Sequence, residues 1–418
     1  MAVALQSGGK SRALVREHLD ELSFLAETAG ADVIERIIQE LPKPNSSTYI
    51  GSGKVEEVKE IIEAEDIQLA LFDDDLTPAQ VKNLENELKI KVVDRSGIIL
   101  DIFAAHARSN EAKTQVELAQ LEYLLPRLSR MWTHLSKQYG GIGMKGPGET
   151  QIETDRRLIR RRITQLKSKL EKIATQKATQ RKGRESKTRF ALVGYTNAGK
   201  STLMNLLSAS DVYVRNKLFA TLDTTVRTIE FDNGRTALLS DTVGFIRKLP
   251  SHLVASFRST LAEIVEADVL MHVVDISHPA MEEHIEAVNA TLKALKVDKK
   301  TILMVYNKID CLESVEEMRE LLLELEPGIA ISAQRGININ GLRARMLELA
   351  ESNIDTVLLA FPYSDMRSVA KAYELAEVIE RRELETGIYL TVRIDRRELP
   401  HVEQWLSGPP PEADAPVD

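Results

Sequence analysis

The spacing of apolar positions changes along this 418-residue chain, and each change marks a different kind of unit. Over residues 1–112, short apolar runs alternate with helical patterns: HLDELSFLAETAG, ADVIERIIQEL, VEEVKEIIEAED, LALFD, TPAQVKNLENELK and KVVD. That alternation predicts a small N-terminal α/β unit with a mostly parallel sheet. Within it YIGSGK, 49–54, looks suited to phosphate, but Gly51, Gly53 and Lys54 stand too close together for a phosphate loop. It reads as a turn into a helix.

Over 113–187 the period becomes a heptad. Leu118, Leu121, Leu125, Leu128, Trp132 and Leu135 form one seam, and Ile152, Ile159, Ile163, Leu166, Leu170 and Ile173 form another. Two amphipathic helices around a short loop predict an antiparallel hairpin, with Pro126 kinking its first arm. Its tip, 140–150, holds Gly140, Gly141, Gly143, Gly146 and Gly148, including a literal G-x-G-x-x-G. A dinucleotide fingerprint must leave a strand and open a helix, and this one follows a helix. The glycines therefore predict an extended finger able to approach a backbone closely.

Residues 188–355 return to strand–helix alternation, with Asn233-Gly234 at a hairpin turn inside TIEFDNGRTALLS. Residues 356–418 read as strand VLLAF, helix VAKAYELAEVIERREL and strand GIYLTVRID, then the acidic, proline-rich tail SGPPPEADAPVD, expected to be disordered. The expected fold class is multidomain α/β: N-terminal α/β unit, helical hairpin with Gly-rich tip, Ras-like P-loop domain and small C-terminal α/β module.

Composition narrows the function classes. With a single cysteine, Cys311, neither a disulfide framework nor a cysteine-rich zinc site is expected. No run approaches the about 18 apolar residues of a membrane span, so a soluble, cytoplasmic chain is expected, with peripheral membrane contact left open. The net charge of -8 is unevenly spread. Residues 155–189 carry 14 Lys or Arg against three acids, a local +11 that leaves -19 elsewhere. Such a block fits a polyanion such as RNA, and equally a solvated helix face.

The chemistry lies downstream. FALVGYTNAGKST carries G-x-x-x-x-G-K-S at Gly194, Gly199, Lys200 and Ser201, between a strand and a helix. Amides of Tyr195, Thr196, Asn197, Ala198 and Gly199 are expected to cradle phosphates, with Lys200 on the β and γ oxygens. Ser201 and Thr202 open the helix, Ser201 toward Mg²⁺. Asp241, Thr242, Val243 and Gly244 form D-x-x-G at a strand end, Asp241 supporting Mg²⁺ through water and Gly244 facing the γ-phosphate. Asn307, Lys308, Ile309 and Asp310 form NKID: Asp310 matches guanine's donor pair, which adenine lacks. Ser332, Ala333 and Gln334 complete the base site, the Ala333 amide meeting guanine O6. The first switch falls in Phe219, Ala220, Thr221, Leu222 and Asp223, where Thr221, Thr224 and Thr225 are candidates for Mg²⁺ and the γ-phosphate. The F-A-T context favours Thr221. Phe245 stands where a water-orienting glutamine is usual, so hydrolysis is expected to need a partner that completes the site. Arg227 and Arg247 are weak candidates for an arginine finger in cis.

With YIGSGK, GGIGMKGPGETQIETDRR, GYTNAGKST, FATLDTT, DTVGFI and NKID in this order, the chain resembles the HflX family of GTPases over nearly its full length. Asp223 is followed by Thr224 where the family more often has proline. The resemblance implies an Mg²⁺-dependent GTP hydrolase that binds the large ribosomal subunit, is stimulated by it, and separates stalled or idle ribosomes under stress. It further implies that Gly140, Gly141, Gly143, Lys145, Gly146 and Gly148 enter an RNA-lined region near the peptidyl transferase centre, while Arg156, Arg157, Arg160 and Arg161 grip ribosomal RNA. DNA is not expected as a partner, and a monomer is.

Overall fold

The computed structural model describes residues 1–9, 11–128, 147–181, 187–208, 218–219, 223–248, 261–396 and 398–407. Three sheets organise them. The first holds β1 (Ala2–Gln6), β2 (Arg36–Glu40), β3 (Leu69–Phe72) and β4 (Lys91–Asp94) in the order β2-β1-β3-β4, all parallel. Around it lie α1 (Arg12–Thr28), α2 (Ser52–Ala64), α3 (Pro78–Leu88) and α4 (Arg95–His106). With apolar clusters on both faces, strands such as LALF are continuous apolar runs rather than alternating ones. Local chemistry sets the helix starts. Thr77 and Gln80 form a reciprocal cap at α3 with Pro78 in its first turn, and Asp94 caps α4 through the Gly97 amide. YIGSGK is a turn into α2, with Gly51 as its cap.

The hairpin is present in part. α5 (Asn110–Leu124) is interrupted by a turn over 125–127 that holds Pro126, since proline has no N–H to continue the ladder. Leu128 is described; Trp132, Leu135 and the tip through Gly146 lie outside the described residues. The return arm α6 (Pro147–Arg181) is 35 residues long. It runs antiparallel to α5: Arg162 is bidentate on Glu117 at 2.6 and 3.0 Å, and Lys169 meets Asn110 at 3.0 Å. Leu118 and Leu166 are buried at the seam.

The third unit has six strands in the order β10-β9-β8-β5-β7-β6: β5 (Arg189–Val193), β6 (Thr225–Glu230), β7 (Thr236–Asp241), β8 (Val269–Asp275), β9 (Thr301–Asn307) and β10 (Gly328–Ala330). Only β6 is antiparallel, returning through the expected turn, where Gly234 has φ +79°. Helices α7 (Lys200–Leu207), α8 (Ala262–Glu266), α9 (Met281–Ala294), α10 (Val315–Glu324) and α11 (Ile339–Glu351) complete it. One apolar cluster runs unbroken from Leu19, Leu22 and Phe103 of the first unit to Val193, Phe245 and Ile264 of the third. The two units thus share a core.

The C-terminal module corrects one expectation. Helix α12 (Met366–Leu375) ends before EVIERREL, which forms β12 (Glu377–Leu384) instead of more helix. Together with β11 (Ile354–Phe361) and β13 (Gly387–Asp395) it makes an antiparallel sheet, β11-β13-β12. Helix propensity of Glu, Arg and Leu yields here to pairing with β13 across a tight turn closed by Gly387, at φ +147°. A short α13 (Leu399–Val402) follows.

Candidate functional site

The loops read from sequence converge at the carboxyl ends of β5, β7 and β9. Gly194 leaves β5 at φ +152°, and a Cβ there would lie 2.2 Å from the Val273 carbonyl oxygen. Gly199, at φ +95°, opens α7 with Asn307 Nδ2 only 2.2 Å from where a Cβ would stand. Both positions demand glycine. Between them Asn197 takes a left-handed turn, φ +61°.

Lys200 folds back over this loop, its Nζ donating to the Gly194 and Tyr195 carbonyls at 3.0 and 2.7 Å. Burial brings its pKa down to about 8, against the opposing pull of Asp241. His272 of β8, also buried, is held neutral at about 4 by desolvation and then by Lys200. Ser201 Oγ donates to Asp241 Oδ2 at 2.7 Å, so two hard oxygen donors stand side by side. A Cβ on Gly244 would lie 2.8 Å from Thr196 Cγ2 and 3.2 Å from Lys200 Nζ, so the D-x-x-G turn presses on the phosphate loop. Thr202 lies in α7.

Asn307 joins the base elements to this loop. Its Nδ2 donates to Ala198 O at 2.8 Å and its Oδ1 accepts from the Ala333 amide at 2.9 Å. Lys308, at φ +68°, pairs with Asp275 at 2.6 Å, and Ile309 opens a short 3₁₀ turn through Cys311. Asp310 faces Arg335 at 3.5 Å; Ser332 Oγ accepts from the Arg335 amide, and Gln334 follows Ala333 on the surface.

Several side chains expected at the nucleotide are engaged elsewhere. Thr242 donates its hydroxyl to Leu192 O at 2.6 Å, and Val243 packs in the core. The Phe245 ring is buried among core residues, while its backbone bonds Thr196 N (2.7 Å) and Gly194 O (3.0 Å). Tyr195 leaves the loop altogether, stacking on His284 at 3.7 Å and sending its hydroxyl to Glu21 of α1. Phe219 sits edge-on to Phe103 of α4, and the Asp223 carboxylate caps α5. Ala220, Thr221 and Leu222 lie outside the described residues, as do Gly140, Gly141, Gly143, Lys145 and Gly146. Gly148 lies in the first turn of α6; Arg157, Arg160 and Arg161 are exposed on that helix and Arg156 is half-buried.

Neither weak arginine-finger candidate is available. Arg227 donates to Ser208 at 3.0 Å. Arg247, which follows the D-x-x-G loop, is buried and bonded to Glu21 at 2.7 Å and Asp73 at 2.5 Å. Fully buried Arg95 joins the same two acids, and Lys248 reaches Asp73 at 3.2 Å. Burial alone would raise the Asp73 carboxyl, but Arg95, Arg247 and Lys248 hold it down at about 2. Sequence reasoning passed over this cluster; its signal was FDDD after a buried strand, matched by Arg-Lys after DTVGFI. Beside it a cavity of about 390 Å³ opens between α1, the phosphate loop and the start of α9.

This fold and loop set define a GTP-binding GTPase. Residues 189–308 match the family described as 50S ribosome-binding GTPase, residues 16–104 the GTP-binding GTPase N-terminal family, and 106–184 the GTP-binding GTPase middle region. The chain is 48% identical over 379 residues to GTPase HflX of Magnetococcus marinus, covering 90% of this chain and 88% of that one. It is 43% identical to GTPase HflX of Escherichia coli, covering 90% of each. A GDP complex of a GTP-binding protein from Sulfolobus solfataricus is also similar, at 29% identity and TM-score 0.44, covering 84% of this chain and 99% of that one. The chain belongs to the HflX family of ribosome-binding GTPases. No described helix is long and apolar enough to cross a membrane.

Proposed function

We propose that this GTPase binds Mg²⁺·GTP at the loops above, docks its hairpin on ribosomal RNA of the large subunit, and separates stalled or idle ribosomes into subunits, acting as a monomer in the cytoplasm. The units 1–112, 113–187 and 188–355 divide that work, and the module 356–418 follows them. The observation that carries the nucleotide assignment is Asn307, which ties the NKID and Ala333 elements to the phosphate loop through 2.8 and 2.9 Å bonds. Guanine and phosphate sites are thereby built as one piece. Asp310 reads the base, Lys200 holds phosphate oxygens, and Ser201 and Thr221 would hold Mg²⁺, with Asp241 supporting it through water. The adjacent oxygens of Ser201 and Asp241 fit that ion, which when bound neutralises charge developing on the phosphates.

The exposed arginines of α6 support RNA as the hairpin's partner, because guanidinium groups are well suited to phosphate. The buried Phe245 supports dependence on that partner, since its ring cannot orient water. The test is GTP turnover by the protein alone, with large subunits, and with an equal mass of unrelated structured RNA. Stimulation of about tenfold or more by subunits only is expected, on the precedent of partner-completed GTPases. Equal rates in all three overturn the partner-completed site, and equal stimulation by any RNA overturns ribosome selectivity.

A further inference from the structure

The α4–α5 corner holds both flanks of the first switch. On one side Phe219, in a left-handed conformation at φ +52°, packs edge-on against Phe103 with ring centroids 4.7 Å apart. On the other, Asp223 Oδ2 accepts from the backbone amides of Arg108 and Ser109, each at 3.1 Å, and Oδ1 accepts from the Ser109 hydroxyl. Ser109 is itself the cap of α5, its oxygen accepting from Ala112 N at 3.0 Å. Asp223 thus extends the cap of the first arm of the hairpin, where a helix's unpaired amides and positive end favour a carboxylate.

We propose that Asp223 is the positioning residue that couples nucleotide state at the first switch to the orientation of the helical hairpin. The inference rests on the reading of Phe219 to Thr225 as that switch. Asp223 lies two positions after Thr221, a reach of at most about 7 Å. A threonine drawn to the γ-phosphate therefore pulls on the residue bonded to the α5 N-terminus. On the other side of the corner, α5 is fastened to α6 by Arg162 on Glu117, Lys167 on Glu122 and Lys169 on Asn110. A displacement at Asp223 is carried by helix backbone to the basic arm. Behind Asp223, β6 begins at Thr225, paired with Asp241, so the same short segment also touches the magnesium-side loop. Coupling between two sites is reciprocal, so RNA seated on α6 would bias the switch through the same bonds.

The test is the separation of two fluorophores on the full chain, at Gln165→Cys on α6 and Leu323→Cys on α10, in a Cys311→Ser background. Both label positions are exposed. The separation is measured at saturating GDP and at a saturating non-hydrolysable GTP analogue, with binding of each nucleotide followed independently. The parent is expected to show two transfer efficiencies and Asp223→Ala a single one in both states. Retention of the parent's full nucleotide-dependent change in Asp223→Ala overturns the coupling. So does a parent that binds both nucleotides yet shows no change, an outcome that leaves the GTPase reading standing. If Asp223→Ala does not fold, Asp223→Asn takes its place, because it removes the charge at the helix end.

Discussion

Arg247 Nη2 donates to Asp73 Oδ1 at 2.5 Å, joining the segment after the D-x-x-G loop to the carboxyl end of a strand in the N-terminal sheet. The bond spans two units, yet both side chains are buried, with Arg95 and Glu21 completing the cluster. The N-terminal unit therefore grips the nucleotide domain immediately after the D-x-x-G loop.

Removing one partner from such a cluster leaves buried charge uncompensated. Asp73→Ala is expected to lose about 3–5 kcal/mol in chemical denaturation of the full chain. A loss below about 1 kcal/mol would show that the cluster behaves like an exposed ion pair.

The same carboxyl gives a pH signature. Its folded pKa, about 2, lies below the roughly 3.9 of an unfolded aspartate. The contribution is therefore complete above about pH 4 and is lost as pH falls toward 2. The stability difference between the parent and Asp73→Asn should shrink across that window, and a difference independent of pH would refute the assignment.

Lys200 predicts proton uptake on nucleotide binding. Burial holds its pKa at about 8, and arriving phosphates raise it again. Affinity for GDP should be flat below pH 8 and fall above it by up to about tenfold per unit. Calorimetry above pH 8, in buffers of different ionisation enthalpy, should register the uptake; a buffer-independent enthalpy there would mean that Lys200 keeps its proton throughout.

Phe245→Gln separates the side chain's position from its chemistry. Because the ring is buried in the shared core, restoring the usual glutamine should not raise intrinsic turnover and should cost stability, about 3–5 kcal/mol by analogy with other large core truncations. A tenfold gain in turnover at unchanged melting temperature would show that position 245 reaches the phosphate after all.

At Gly199 a methyl group would meet Asn307 Nδ2 at 2.2 Å on a backbone of φ +95°. Gly199→Ala should displace Asn307 from Ala198 and weaken guanine nucleotide binding roughly 10- to 100-fold, the scale of a lost buried hydrogen bond. Binding within a factor of about two of the parent would mean that the loop relaxes around the methyl group.

The sequence by itself determined the nucleotide loops, the hairpin and the order of units. Those features are local: the glycines of a phosphate loop, the heptad of an amphipathic helix and the cap of α3 each act within a few residues. EVIERREL shows the limit, since its composition suits a helix and only the neighbouring β13 makes it a strand. Tertiary structure also decided where side chains in the loops went. Tyr195 turned to Glu21, Phe245 entered a core shared with α1 and α4, and Asp223 capped α5. Arg247 found Asp73, 174 positions away. Such choices depend on which charges and apolar faces folding brings together across long separations, and no short-range pattern records them.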